Sequence, residues 1–238
     1  MRVLITGDSH TGALLRGKQL LENKNEWPQQ VNLTIRPLGR SMINATPFFV
    51  DRGDHAEIRN EEYRKRFKRF PPANMEKSDV IYGLSGPLHT SRVLRHQAWS
   101  EFVPTPFTTN ESPVSNALLN QVIQNDCQHL LKFIDIILRI RKKLFVIEAP
   151  LPFKHAAKTI RPEVFTYVDS YYRNFIKQEL KLRKVPLIAV NSECYDESGF
   201  MLECYRSPKE NDMHHGNAEF GELMMKKILK FLLNEQKV

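Results

Sequence analysis

"MRVLITGDSH", residues 1–10, joins a short apolar run to a turn with a serine near its tip. The run Arg2–Thr6 is short and contains β-branched residues, which predicts a β-strand. Gly7 permits a tight turn, and Ser9 then stands where a helix is predicted to begin. Because ligands bind outside the carboxyl ends of parallel strands, Ser9 is a candidate nucleophile. The alternative is that Ser9 only caps the following helix, since serine is also favoured at that position.

Apolar runs and amphipathic segments alternate along the rest of the chain. The predicted strands are Arg2–Thr6, Val31–Arg36, Asp79–Leu84, Leu144–Glu148 and Pro186–Val190. The predicted helices are Ser9–Asn23, Ser115–Arg141, Pro162–Arg183 and Ala218–Asn234. This alternation indicates an α/β fold in which helices cover both faces of a mainly parallel sheet.

Two long stretches, 37–72 and 87–113, do not follow this alternation. The first is predicted to be mostly irregular, with a short, highly charged helix in Glu61–Phe70 whose charges face the solvent or, alternatively, bind a polyanion. The second is rich in proline, serine, threonine and aromatic residues. Loops of this length in a compact domain often form lids or the walls of a binding site, so both stretches are expected to influence specificity.

Composition and charge restrict the class of protein. Hydrophobic residues make up 41% and charged residues 26% of the 238 residues, as in globular proteins. The net charge of +8 favours an anionic partner or a solvated basic surface, and no nucleic-acid-binding motif accompanies it. No run reaches the roughly 18 apolar residues of a membrane span, and no secretory signal is visible.

The three cysteines, Cys127, Cys194 and Cys204, match neither a zinc site nor a redox motif. They are therefore expected to be free thiols. Together with the lack of a visible signal peptide, this predicts a cytoplasmic localisation. The sequence carries no indication of the oligomeric state.

A second candidate motif, Asp212-Met213-His214-His215, precedes the predicted terminal helix. The spacing allows Asp212 to accept the Nδ1–H of His215, leaving Nε2 free to take a proton from a serine. The alternative is a solvated loop in which the aspartate caps the helix. A metal site at the histidine pair is not expected, because no further cluster of metal ligands stands nearby in the sequence.

Together the two motifs resemble those of the SGNH (GDSL-type) hydrolases, a group of serine esterases and acyltransferases. The resemblance covers most of the chain and implies a single domain over residues 1–238. It implies a flavodoxin-like three-layer sandwich with five parallel strands in the order 2-1-3-4-5. It also implies that Ser9 is the nucleophile, His215 the base and Asp212 the orienting acid, with no cofactor. The backbone N–H groups of Ser9 and Gly39 would then donate to the oxyanion.

The chain departs from the family pattern after the third strand. An asparagine side chain usually supplies a further oxyanion donor there, whereas Pro87 stands at that position in Gly86-Pro87-Leu88-His89. Proline has neither a side-chain donor nor a backbone N–H. Ser85 or His89 is expected to take over this role.

Several further residues are weaker candidates for substrate binding. Arg40 follows Gly39 and is suited to an anionic substrate, an interpretation that Arg92, Arg95 and His96 extend. Trp99, within the stretch 87–113, is a candidate for the substrate site, although packing is the commoner role of a tryptophan.

The function predicted from these motifs is a serine esterase that acts on an acyl ester of a carbohydrate or small metabolite. One alternative is a carbohydrate O-acyltransferase, in which a sugar hydroxyl replaces water as the acceptor. Another is a non-catalytic binding module on the same fold, for which Pro87 and the basic charge argue. The presence of all three triad positions argues against that last alternative.

Overall fold

The computed structural model describes residues 1–75, 79–95, 97–157 and 160–235. Five parallel strands form the central sheet: β1 (Arg2–Gly7), β2 (Asn32–Ile35), β6 (Val80–Ser85), β9 (Leu144–Ile147) and β10 (Leu187–Ile188). Their order across the sheet is β2-β1-β6-β9-β10. Counted as five core strands along the chain, this is the predicted order 2-1-3-4-5.

In the described part of the chain, six α-helices accompany the sheet: α1 (Thr11–Asn23), α2 (Glu61–Arg64), α3 (Ser91–Leu94), α4 (Asn116–Arg139), α5 (Pro162–Leu182) and α6 (Ala218–Glu235). Alternation along β1 divides the core between two faces. Val3 and Ile5 belong to the core that includes side chains of α1 and α6. Leu4 belongs to the opposite core, which includes side chains of α4 and α5. The predicted three-layer α/β architecture is therefore confirmed.

Helices α1 and α6 approach each other closely because glycines meet at their contact. A Cβ atom added to Gly17 would lie 2.0 Å from the carbonyl carbon of Gly221. One added to Gly221 would lie 1.9 Å from the carbonyl oxygen of Ala13. Neither position tolerates a side chain without displacement of backbone. This contact ties the first helix of the chain to the last.

The stretch 37–72 is mostly irregular and contains the short charged helix α2, as predicted, but it also includes strands that the sequence did not predict. It contains a three-stranded antiparallel sheet in the order β3-β4-β5, with strands Phe49–Asp51, Ala56–Ile58 and Arg69–Phe70. Strands of two or three residues are too short to show alternation in the sequence, which explains why the sequence did not predict them. The stretch 87–113 likewise contains α3 and the paired strands β7 (Phe102–Pro104) and β8 (Ser112–Val114).

The cysteines are free, as expected; Cys127 and Cys194 are buried and Cys204 is exposed. None of the helices in the described part of the chain combines the length and the apolar character that crossing a membrane requires.

Candidate active site

The turn after β1 presents Ser9 at the carboxyl edge of the sheet. Gly7 has a φ of 146°, and a Cβ atom there would lie 1.8 Å from the carbonyl oxygen of Ser85. Only glycine therefore fits this position. The backbone N–H of Asp8 donates to the same oxygen at 3.2 Å, which fixes the turn against β6. Ser9 itself is exposed, and the helix starts only at Thr11 rather than at Ser9.

Ser9, His215 and Asp212 form a continuous chain of hydrogen bonds. Nε2 of His215 lies 2.7 Å from Oγ of Ser9. On the other side of the ring, Nδ1 lies 2.8 Å from Oδ1 and 3.0 Å from Oδ2 of Asp212. Because a carboxylate only accepts, this contact places the imidazole hydrogen on Nδ1. Nε2 is then free to accept the Ser9 hydroxyl hydrogen.

A tight turn holds Asp212 in this orientation. Its Oδ1 accepts the backbone N–H of His215 at 3.1 Å and that of His214 at 3.3 Å. Burial opposes ionisation of this carboxyl group, but the hydrogen bonds and electrostatic attraction from His215 outweigh it and lower the pKa of Asp212 to about 2. Asp212 is therefore a carboxylate at neutral pH.

The backbone N–H groups of Ser9 itself and of Gly39 are available to a ligand. Within the described residues, the N–H groups of Ser9 and Gly39 donate to no protein atom. The loop that carries Gly39 is joined to β1 by a 2.6 Å hydrogen bond from Leu38 N to Gly7 O. Gly39 must be glycine, because a Cβ atom would lie 2.5 Å from the Tyr63 ring. Unpaired N–H groups of this kind can stabilise an oxyanion.

His89 points to Asp8 and not to a free position for an oxyanion. Its Nδ1 lies 2.6 Å from Oδ2 of the fully buried Asp8, and its Nε2 hydrogen bonds with Oγ of Ser91. Burial lowers the pKa of His89 despite the charge of Asp8. In the neutral ring that donates to Asp8, Nε2 carries no hydrogen, so it accepts rather than donates. Ser85 is also buried, at the end of β6.

The buried Asp8 remains ionised. Burial raises its pKa, but His89 and His10 outweigh that effect and hold it well below the ordinary value. Its other oxygen, Oδ1, accepts the backbone N–H of His10 at 3.0 Å. Burial, followed by the neighbouring His89, lowers the pKa of His10 well below its ordinary value. Asp8 thus organises the loops after β1 and β6 around one carboxylate.

Four histidine rings cluster at the site, a feature that the sequence did not predict. Ring centroids are 4.2 Å apart for His10 and His89 and 4.0 Å apart for His214 and His215. His10, His89 and His214 each offer a ring nitrogen within 4.8 Å of the others, a possible metal-ligand set. However, His89 Nε2 already bonds Ser91, and His214 Nδ1 lies 2.5 Å from Nη2 of Arg95. A metal ion would have to displace these hydrogen bonds.

Asn44 is a second feature that sequence reasoning missed. Its side chain is buried, and Oδ1 accepts a 2.6 Å hydrogen bond from the Tyr63 hydroxyl. Nδ2 faces Gly86, where an added Cβ atom would be 3.4 Å from Nδ2 and 3.5 Å from Oδ2 of Asp8. Within the described residues, Nδ2 donates to no protein atom. Asn44 lies within a stretch predicted to be irregular, where the sequence does not indicate which side chains an asparagine contacts.

Two depressions flank the triad. A partly open one of about 330 Å³, here called the apolar cavity, is bounded by His10, His89 and His214 beside the triad. Its wall consists mainly of Leu94, Pro150, Leu151, Pro152, Ala156 and Phe165. A more open one of about 540 Å³, here called the polar groove, is lined by His215 itself and by Arg95, Lys209, Glu210, Asn211 and Asp212, among others.

Of the weaker candidates for substrate binding that the structure describes, only Arg95 lines the depressions beside the triad. Trp99 is a core residue, 7% exposed, whose Nε1 donates to the carbonyl oxygen of Val93, and it lines neither depression. Arg40 is exposed and paired with Glu62 at 2.7 Å. Arg92 is buried and paired with Asp126. Arg95 does line both depressions. His96 lies outside the described residues.

No protein-family model and no curated protein sequence matches the chain. Solved structures do match its fold. A GDSL-like lipase from Bacteroides thetaiotaomicron has 10% identity and a TM-score of 0.50 over 99% of this chain and 88% of its own. An acetyl xylan esterase, AlAXEase, has 12% identity and a TM-score of 0.50 over 97% of this chain and 98% of its own.

A third match is the periplasmic domain of a lipopolysaccharide acetyltransferase from Salmonella ser. Paratyphi A. It has 14% identity and a TM-score of 0.50 over 98% of this chain and 83% of its own. Identities this low establish similarity of fold. The chain therefore has the α/β fold of the GDSL-like (SGNH) hydrolases, which its GDSH and DMHH motifs predicted.

Proposed function

We propose that this chain is a serine esterase that hydrolyses an acyl ester of a carbohydrate or small metabolite. The observation that carries the proposal is the Ser9–His215–Asp212 chain of hydrogen bonds beside the free N–H groups of Ser9 and Gly39. A serine hydroxyl becomes an effective nucleophile only beside a base, and the base must itself be oriented. All of these elements are present at one edge of the sheet.

The proposed reaction has two steps. Nε2 of His215 takes the Ser9 proton while Oγ attacks the acyl carbon, and the ionised Asp212 stabilises the imidazolium that forms. The N–H groups of Ser9 and Gly39 donate to the oxyanion. His215 returns the proton to the departing alcohol, leaving an acyl group on Ser9. Water, activated by His215, then releases the acid and restores the serine.

Acyl transfer to a sugar hydroxyl is a second candidate, and the polar groove favours it. The groove is open and is lined by His215, the residue that would activate the acceptor. The lipopolysaccharide acetyltransferase domain has the same fold. Both reactions share the acyl-enzyme and differ only in the acceptor, so adding sugars to an esterase assay and identifying acylated products by mass spectrometry distinguishes them.

Hydrolysis of p-nitrophenyl acetate tests the esterase proposal. Ser9→Ala should lower kcat/KM by about 1000-fold or more, because removal of the nucleophile abolishes acyl-enzyme formation. Ser198→Ala is the matched control, since Ser198 is exposed and lies outside the site. A Ser9→Ala protein that retains the wild-type rate would overturn the proposal.

A further inference from the structure

We infer that the substrate is an ester with a medium-length apolar acyl group and a polar alcohol, the acyl group occupying the apolar cavity. This inference rests on the esterase function proposed above. It follows from the positions of the two depressions relative to the triad. His10, directly after Ser9, and His214, directly before His215, both border the cavity.

The proton path assigns the two halves of the ester to the two depressions. His215 must return a proton to the departing oxygen, so the alcohol has to lie within reach of Nε2. His215 lines the polar groove but not the apolar cavity. The alcohol therefore lies along the groove, and the cavity receives the acyl group.

The chemistry of each depression agrees with this assignment. Lys209, Glu210 and Asn211 offer the groove charged and amide groups that can hydrogen bond with the hydroxyls of a polar alcohol. Leu151, Ala156 and similar side chains give the cavity an apolar wall. Burial of each methylene group there is favourable. An acetyl group would leave most of the cavity unfilled.

The volume of the cavity limits the chain length. An apolar protein cavity of roughly 150 Å³ accommodates benzene, which has six carbons. The apolar cavity has about twice that volume, 330 Å³. On the same scale the cavity has room for roughly twelve carbons, so acyl chains much longer than acetyl, octanoyl among them, are expected to fit.

A series of p-nitrophenyl esters, from acetate through butyrate to octanoate, tests the inference. Full burial of one methylene corresponds to about a fourfold gain, so kcat/KM should rise by at least about tenfold from acetate to octanoate. Ala156→Phe fills part of the cavity and should lower the octanoate-to-acetate ratio by about tenfold. Ala117→Phe is the matched control, because Ala117 is exposed on α4 and lines neither depression.

The outcomes separate this inference from the proposed function. Ser9-dependent hydrolysis of acetate without a rise towards octanoate would overturn the assignment of the cavity and leave the esterase function intact. An equal fall of the ratio in Ala156→Phe and Ala117→Phe would also overturn it. If no ester is hydrolysed and Ser9 is not reactive, the proposed function fails and the substrate assignment fails with it.

Asn44 carries a separate inference about the same proposed reaction: the geometry points to its Nδ2 as the side-chain oxyanion donor that Pro87 cannot supply. The Tyr63 hydroxyl donates to Oδ1, which fixes the orientation of the amide. Nδ2 then faces Gly86, the first residue of the turn that contains Pro87. Asn44 is a buried residue whose Nδ2 donates to no protein atom in the described part of the chain, so this N–H group is available to an oxyanion.

Placement of three loops supports this role. The loop after β1 is joined to Ser85 through Asp8 N and to Leu38 through Gly7 O. Asn44 lies six positions after Leu38 in the loop that follows β2, and its Nδ2 would be 3.4 Å from a Cβ atom added to Gly86. Its amide thus lies near the meeting point of the loops after β1, β2 and β6, and the first two of these loops carry the Ser9 and Gly39 N–H groups.

Asn44→Asp and Asn44→Ala test the assignment. Asp retains the acceptor for Tyr63 but removes the N–H donor, whereas Ala removes both. Loss of an oxyanion donor lowers kcat by roughly 100- to 1000-fold, and KM should change little because the bond strengthens only in the transition state. Asn110→Ala, at an exposed position, is the control. A kcat near that of the wild type in either folded variant would overturn the assignment, whereas inactivity of the wild-type protein would reject the proposed function itself.

Discussion

Oγ of Ser9 and Nε2 of His215 lie 2.7 Å apart, although 206 positions separate these residues in the chain. Ser9 lies just before α1 and His215 just before α6. These two helices pack against each other through Gly17 and Gly221. The contact between the first and last helices thus fixes the distance between the proposed nucleophile and its base.

Asp212→Asn tests how much activity depends on the orientation of His215, because the His215 side chain itself is kept. The amide retains the size of the carboxylate but favours the wrong imidazole tautomer and cannot stabilise the imidazolium. A loss of about 10⁴-fold in kcat is expected by analogy with the equivalent change in a serine protease. Steady-state kinetics on an activated ester measure it. A loss of less than about tenfold would show that Asp212 is not the orienting acid.

Gly221→Ala should destabilise the fold through the contact between α1 and α6. A methyl group there would lie 1.9 Å from a backbone oxygen, so the helices must separate. Overpacking of this kind costs about 1–3 kcal/mol or more, which urea unfolding can measure.

Gly12→Ala is the matched control in the same pair of helices. An added Cβ atom at Gly12 would meet only Nη1 of Arg16, at 3.5 Å. The free energy of unfolding should therefore stay the same or rise by about 0.4–1 kcal/mol, because alanine restricts the unfolded chain. Equal destabilisation by both substitutions would contradict a close contact at Gly221.

The histidine cluster predicts loss of stability in mild acid. Burial, and then the proximity of His215, lowers the pKa of His214 from 6.5 to about 3. Between these two pH values the unfolded chain binds a proton that the folded chain does not. The stabilising effect of the neutral ring is therefore complete above pH 6.5 and is lost as the pH falls towards about 3.

His214→Asn should abolish the uptake of a proton at this position when the protein unfolds. Each such group contributes a slope of about 1.4 kcal/mol per pH unit to the free energy of unfolding. The slope in the variant should be smaller by about this amount, as urea unfolding at several pH values would show. An unchanged slope would mean that His214 titrates normally in the folded protein.

The motifs near the two ends of the chain could be predicted because each is local. Gly7, Ser9, Asp212 and His215 lie in short segments whose spacing already limits what their side chains can reach. The order of the sheet followed from the resemblance that these segments carry. Strand and helix positions followed from periodicity, which is strong in long elements such as α4.

Contacts between distant loops could not be predicted in this way. The hydrogen bond between His89 and Asp8 spans 81 positions and joins one residue from each of two separate motifs. The hydrogen bond from Tyr63 to Asn44 joins two segments of the stretch 37–72 that show no periodicity. Trp99 packs inwards, but an aromatic side chain in a loop looks the same in the sequence whether it packs inwards or faces a ligand.

Reaction with a fluorophosphonate, followed by peptide mapping by mass spectrometry, tests the central claim most directly. The probe modifies serines that a neighbouring base activates. We expect a single adduct at Ser9, absent in Ser9→Ala, strongly reduced in His215→Ala and unchanged in Ser198→Ala. A folded wild-type protein that is not modified at Ser9 would contradict the claim that Ser9, His215 and Asp212 form a working catalytic triad.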